Sequence, residues 1–229
     1  MFIDVAVGFP IEGLFTYSTD NPAIQQGMRV IVDFNNRKTL AFVINVHNNV
    51  PDFEVKPVIK VLDEQPIFDE RLLSLAQFVA NHYVCYFGEA IGTALPSGRS
   101  YNVRAKNIPC INGYKEVILT EEQQKIYTSI LNQPEKVHCI YGVTGSGKTE
   151  VYIALAKAMM ERGKSVLYLV PEISLSSQIF ERLKAVFGKT LVLYHSGMSP
   201  NERLISWKRF YYGEAMIAVG TRSAIFMQA

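Results

Sequence analysis

Along residues 3–61 short apolar runs rich in β-branched and aromatic residues are broken by polar turn residues, and after residue 119 the rhythm changes to short apolar runs between helical repeats. In the first stretch Ile3–Gly8, Leu14–Ser18, Met28–Asp33, Leu40–Val46 and Val55–Val61 are rich in Val, Ile, Phe or Tyr and bounded by Pro, Gly, Asn or Asp, which predicts five strands. Asn35-Asn36 lies between two of them and reads as a hairpin turn, because Asn tolerates the left-handed conformation. Asp69 then caps a predicted helix, DERLLSLAQFVANHYV, whose Leu72, Leu75, Ala76 and Val79 recur at helical spacing. Residues 1–98 therefore predict a small, closed or nearly closed β domain with one or two helices at its end.

Residues 99–118 read as a connector. The second rhythm predicts helix 120–131, strand Val137–Tyr141, helix 148–162, strand Val166–Val170, helix 173–187, strand Leu191–Tyr194, helix Pro200–Tyr212 and strand Met216–Val219. Strands alternating with helices of this length mean βαβ units and a parallel sheet. The all-apolar strands VLYLV and MIAV suit a sheet covered on both faces. The fold class expected is α/β: a β-rich domain, then a parallel-sheet lobe over 119–229.

Composition narrows the classes. Among 229 residues, 15 Gly and 10 Pro exclude collagen-like and low-complexity chains. Cys85, Cys110 and Cys139 are too far apart for a local zinc knuckle or a CxxC redox pair, and fit reduced thiols. No apolar run is long enough to span a membrane, and MFIDVAVGFP lacks a basic n-region, so a cytoplasmic location is expected. The net charge of +2 is bland, but its distribution is not. Residues 1–100 hold 7 Lys/Arg against 11 Asp/Glu, and residues 101–229 hold 16 against 10. Bulk charge draws polyanions to the second half only.

Gly142-Val143-Thr144-Gly145-Ser146-Gly147-Lys148-Thr149 matches GxxxxGK[ST] between a predicted strand and a predicted helix, the context a phosphate-binding loop requires. Glycines let backbone N–H groups curl around phosphate oxygens, and the following helix points its positive end at them. Lys148 would reach the β- and γ-phosphates of ATP, and the Thr149 hydroxyl would coordinate Mg²⁺. Kinases, GTPases and motors all use such a loop. Hydrolysis also needs acids on a later strand, and no apolar run after Lys148 ends in a pair of them. Asp63-Glu64 precede the loop and read as a strand end and turn. Trp207, Phe210 and Tyr211 read as a core face with Lys208 and Arg209 solvated, and His195 has no partner at metal-ligand spacing.

LTEEQQ (119–124), GVTGSGKTE (142–150), LVPEISLSSQ (169–178), YHSGMSPNER (194–203) and VGTRSAIF (219–226) stand in this order. Together they resemble the primosomal replication-restart helicases, a superfamily 2 DNA helicase family. The resemblance implies a RecA-like P-loop lobe in which Gln123 reads adenine and Lys148 and Thr149 serve ATP and Mg²⁺. It places Pro171, Glu172, Ser196, Gly197, Thr221 and Arg222 on a single-stranded DNA path. Strand C-termini in an open α/β sheet face one crevice, where backbone N–H and hydroxyl groups can grip phosphates without reading sequence.

The β-rich part resembles the family's domain for the 3′ end of a nascent strand at a stalled fork, with Phe15 and Lys56 at pocket positions. An aromatic can stack on a terminal base and a lysine can neutralise a phosphate. Two positions depart: Thr16 stands for the family's acid, a natural acceptor for a 3′-hydroxyl, and Asn35 for a turn glycine. The connector is too short for the family's winged-helix domain. The acidic hydrolysis motif, the cysteine-rich zinc insertion and the second lobe, whose arginines complete ATP hydrolysis, are not in the sequence. The expectation is the N-terminal portion of an ATP-dependent 3′→5′ helicase that binds branched fork DNA and supports primosome assembly, with primosome and single-strand-binding proteins as partners at the nucleoid. The alternative is a fork- and nucleotide-binding module that performs no work.

Overall fold

A computed structural model describes residues 1–99, 118–171 and 177–228. The first part is a five-stranded antiparallel sheet in the order β2-β1-β4-β3-β5, with β1 at Phe2–Val7, β2 at Phe15–Ser18, β3 at Arg29–Phe34, β4 at Arg37–His47 and β5 at Lys60–Val61. Asn35 and Asn36 both take positive φ, at 49° and 59°, and join β3 to β4 with Phe34 opposite Arg37. Two left-handed residues match the strand twist, so this two-residue turn fixes the register. Where a full strand is expected over Val55–Val61, only two residues pair with β3. The stretch before them turns instead to the opposite edge: Ser18 N donates to Lys56 O, and Val58 N donates to Ser18 O. That bridge joins the two edges of the sheet and nearly closes it.

Helix α1, Glu70–Tyr83, starts where Asp69 accepts hydrogen bonds from the Arg71 and Leu72 amides. Its buried face is Leu72, Ala76 and Ala80. Helix α2, Phe87–Ala94, lies close against β1. A Cβ at Gly88 would stand 2.2 Å from the Val7 carbonyl oxygen, so only glycine permits this approach.

In the second part α3, Glu121–Leu131, begins in a capping box of Thr120 and Gln123. Helix α4, Lys148–Glu161, leads to β6 at Val166–Leu169, α5 at Ser177–Phe187, β7 at Leu191–Tyr194, α6 at Pro200–Tyr211 and β8 at Ile217–Gly220. The three strands are parallel in the order β6-β8-β7. Ser199, Pro200 and Glu202 start α6 with a second capping box.

The strand expected at Val137–Tyr141 does not form. Val137 and Tyr141 are fully exposed, and His138 Nε2 is tied back to the Gln133 carbonyl at 2.7 Å. β6 and β7 pair only with β8, so this segment has no strand neighbour. Strand propensity yields a strand only where a neighbour supplies the ladder.

One face of the parallel sheet packs Ile217 and Val219 with Ile153, Ala156, Leu183 and Phe187. The other packs Val192, Tyr194 and Ala218 with Leu204, Trp207 and Phe210, and this cluster continues into Phe42, Ile67, Phe68, Leu72 and Ile91 of the first part. One apolar core thus runs through both. Polar contacts reinforce it. Trp207 Nε1 donates to the Ile67 carbonyl at 2.7 Å, and Arg99 N donates to Asn201 Oδ1 at 3.0 Å.

At the seam Asp63 is fully buried. Its Oδ2 accepts from Arg29 N at 3.0 Å and Arg29 Nε at 2.8 Å, and its Oδ1 from Arg29 Nη2 at 2.9 Å, with Lys208 Nζ 2.7 Å from that same Oδ1. Arg29 Nη1 also donates to the Pro96 and Gly98 carbonyls. Burial alone would raise the Asp63 pKa, but the hydrogen bonds and charges of Arg29 and Lys208 hold it below the usual carboxylate value. Burial depresses Lys208, outweighing Asp63. Asp63 stands just past the end of β5 and before a bend at 64–65, as expected, and is in addition the centre of a buried ion-pair cluster. Lys208 is buried rather than solvated, because α6 turns it toward that carboxylate.

Candidate functional site

The loop at 142–149 lies at the head of α4. Gly145 and Gly147 take φ of 83° and 77°, which curl the backbone in a way L side chains rarely allow. Gly147 caps α4, and a Cβ there would stand 2.4 Å from Gln123 Nε2. Gly142, Val143, Thr144 and Ser146 are exposed, while Lys148 and Thr149 are half-buried at the first turn of α4. Lys148 Nζ is folded back onto the Gly142 and Val143 carbonyls at 2.7 and 2.8 Å. Those contacts hold the cation over the loop. Gln123 reaches the same loop: its Nε2 donates to the Ser146 carbonyl at 3.0 Å, and its Oε1 accepts from Thr120 N at 3.0 Å. The amide of Gln123 thus ties α3 to the loop.

The three parallel strands end level, with Leu169 and Tyr194 each opposite Gly220. This register brings Pro171, the His195–Gly197 turn and Thr221-Arg222 to one edge of the sheet. Pro171, Ser196, Gly197 and Arg222 are exposed there, while Thr221 is buried at the start of a short 3-10 turn, Arg222–Phe226. The Gly197 amide donates to His195 Nδ1 at 3.2 Å, which shapes the turn. Gly220 is obligatory: a Cβ would lie 2.2 Å from the Tyr194 carbonyl oxygen. Glu172 lies outside the described residues. Pro171 and Arg222 also line an open apolar groove of about 820 Å³ against Val79, Tyr83 and Phe226.

On the first part, Phe15, Thr16, Asn35 and Lys56 line one cavity of about 420 Å³, with Asp33, Phe34 and Phe53 beside them. Phe15 meets Phe34 edge-on at 4.8 Å. The Thr16 hydroxyl is taken by another partner: it donates to Asp4 Oδ1 at 2.8 Å. Burial would raise Asp4, but hydrogen bonds from Thr16 and His47, with the His47 charge, keep its pKa lowered. Lys56 Nζ donates to Asp33 Oδ2 at 2.9 Å, and Asp33 Oδ1 is shielded from solvent with no hydrogen-bond partner. The spacing of Asp33 along the chain gives no sign of this place; β1 and β4 lie between β3 and β2 in the sheet, and the end of β3 reaches β2 across the nearly closed sheet, where the Tyr17 hydroxyl donates to the Asp33 carbonyl.

Comparison with known proteins bears on both parts. Residues 4–96 match a 3′ DNA-binding domain model, and residues 120–228 match a DEAD/DEAH box helicase model. Replication restart protein PriA of Treponema pallidum is 31% identical over 98% of this chain. The proteins of that name from Haemophilus influenzae and Borreliella burgdorferi are 26% and 29% identical, each over 99% of it. The chain belongs to the PriA replication restart family. It spans 36%, 42% and 36% of the length of those three PriA relatives. In PriA terms the antiparallel part corresponds to the 3′ DNA-binding domain and the parallel part to the helicase lobe. Among the described residues no group of His, Cys, Asp and Glu could hold a metal ion, and no helix is long and apolar enough to cross a membrane.

Proposed function

We propose that this chain holds the 3′ end of a nascent strand at a branched fork, binds ATP with Mg²⁺, and serves a 3′→5′ helicase that restarts replication through primosome assembly. The observation that carries the reading is the joining of an aromatic- and lysine-lined cavity to a P-loop lobe through one continuous core. Phe15 would stack on a terminal base, and Lys56 would meet a backbone phosphate. The Gly145–Thr149 amides and Lys148 would cradle the phosphates, with the Thr149 hydroxyl on Mg²⁺. The level edge at Pro171, Ser196, Gly197 and Thr221-Arg222 would track a single strand through backbone groups, and Glu172 belongs to the same proposed path. Residues 1–98 would act as the end-binding domain and 119–229 as the lobe. Primosome and single-strand-binding proteins would meet it at forks in the nucleoid.

A second reading is favoured by one observation. Among the described strands after Lys148, β6, β7 and β8 end in Leu169, Tyr194 and Gly220, and none ends in the paired acids that hydrolysis requires. Under that reading the chain binds a fork and a nucleotide without turnover. ATP hydrolysis with and without forked DNA, beside Lys148→Ala, decides between them. DNA-stimulated turnover lost in the variant supports the motor. Nucleotide binding lost in the variant, with no turnover in either protein, supports the binding module. Neither fork nor nucleotide binding by the unaltered chain would sink both.

A further inference from the structure

The end-binding cavity contains a carboxylate that neither the strand pattern nor the resemblance assigns a role. Asp33 closes β3, immediately before Phe34 and Asn35. Its Oδ2 takes a single side-chain partner, Lys56 Nζ, whose side chain is 54% exposed, and its Oδ1 takes none. A carboxylate offers about four lone-pair sites, so Asp33 has acceptor capacity to spare. A shielded, unpaired oxygen at a cavity wall is costly unless something else compensates for it. The Asp33 main chain, by contrast, is fixed: the Tyr17 hydroxyl donates to its carbonyl at 2.9 Å, tying β3 to β2 beside Phe15.

Thr16 is not placed to do the same work. Its hydroxyl is spent on Asp4, and Asp4 also draws His47 Nε2 and Asn45 Nδ2. Successive strand residues point to opposite faces, so Thr16 faces away from Phe15 and Tyr17. Two acids, Asp33 and Glu54, line the cavity, and of these Asp33 carries the ion pair with Lys56 and directly precedes Phe34 of the aromatic pair.

We propose that Asp33 is the specificity residue of this cavity, accepting the hydrogen bond of a terminal 3′-hydroxyl and repelling a terminal 3′-phosphate. The inference rests on the end-binding reading above. In the free protein Lys56 neutralises Asp33. When a DNA end enters, Lys56 Nζ turns to a backbone phosphate and uncovers Oδ2, which accepts from the hydroxyl. No covalent bond changes; one ion pair is exchanged for another, and one hydrogen bond is gained. A terminal phosphate would bring negative charge against the uncovered carboxylate.

The test is equilibrium binding of the chain to one oligonucleotide sequence carrying a 3′-hydroxyl, a 3′-hydrogen or a 3′-phosphate. The unaltered protein should favour the hydroxyl over the phosphate by about tenfold, the scale of one hydrogen bond to a charged group. Asp33→Asn keeps the side-chain shape without the charge, and should bring the three ends to within about threefold of one another. Phe15→Ala should weaken all three ends together. Equal binding of hydroxyl and phosphate ends by the unaltered protein overturns the proposal without any variant. Full discrimination retained by Asp33→Asn overturns it as well, while leaving the cavity reading intact if Phe15→Ala still weakens binding. If Phe15→Ala and Lys56→Ala both bind every end as the unaltered chain does, the cavity is not the end site and both readings fall.

Discussion

Replacing Asp63 by Ala would remove the carboxylate that Arg29 and Lys208 share in a buried seam. The Asp63 side chain has no exposed surface, and those of Arg29 and Lys208 have 1% and 4%. Solvent cannot screen what remains. Breaking a buried pair by removing one partner costs about 3–5 kcal/mol. Here three hydrogen bonds from Arg29 and the Lys208 contact are lost together, so the upper part of that range applies. Loss of the Lys208 proton would cap the cost, because its pKa is already lowered. For a chain of this length each kcal/mol moves Tm by about 2–4 °C, so a cost of about 4–5 kcal/mol should make Asp63→Ala melt about 8–20 °C lower.

Lys208→Met is the informative partner. The trio carries one excess positive charge, and Met removes it while keeping the stem volume and the Arg29–Asp63 pair. Exchanging a buried ion for an apolar residue of similar size is often neutral or stabilising, so a change within about 1–2 kcal/mol is expected. Thermal and urea melts of the two variants beside the unaltered chain give the comparison. Equal losses in both variants, or a loss under about 1 kcal/mol in Asp63→Ala, would refute the view that Asp63 is the electrostatic centre of the seam.

Acid should act on the same group. The folded Asp63 pKa is lowered, so its stabilisation is complete above the ordinary carboxylate range and is lost as pH falls through the lower folded value. Melts should therefore drop below about pH 4, and less steeply in Asp63→Asn. Gly220→Ala should destabilise by about 1–3 kcal/mol in the same melts, because its Cβ meets the Tyr194 carbonyl and the Ala224 side chain. The chain has one tryptophan, buried and bonded to Ile67 across the seam. Its emission should be blue-shifted in the folded chain and move red as the two parts separate. Emission that stays red-shifted in the folded protein would contradict the shared core.

Local chemistry was the readable portion of the fold. The Asn35-Asn36 turn, the Asp69 cap, the Ser199-Pro200 start of α6 and the strand Leu191–Tyr194 stand where their residues place them, because each depends on a few adjacent side chains. Readings that depended on distant partners fared worse. Val137–Tyr141 has strand composition but no neighbouring strand, and within Val55–Val61 the residues Lys56–Val58 bridge to Ser18 while Ile59–Val61 bond to β3. Lys208 follows Trp207 on the helix and looks like a solvated charge, until a carboxylate 145 positions away draws it inward. At the candidate site the phosphate loop was legible as a contiguous string. Asp33 was not, since the curl of the nearly closed sheet, with β1 and β4 between β3 and β2, brings it into the cavity with Phe15.

Strand β3 has a different character at each end. Arg29 is pinned beneath α6 by Asp63, and Asp33 stands four residues on, at the cavity. At about 3.3 Å per residue, four steps span roughly 13 Å of strand, paired to β4 throughout and to β5 at Val30 and Ile31. The strand therefore acts as a fixed ruler between the cavity and the helicase lobe. A DNA end seated beside Asp33 would lie at a set distance from α6, and so from the His195–Gly197 turn that precedes it. Movement of the lobe would then carry the held end with it, as a jaw carries its tooth, instead of letting the two drift on a tether.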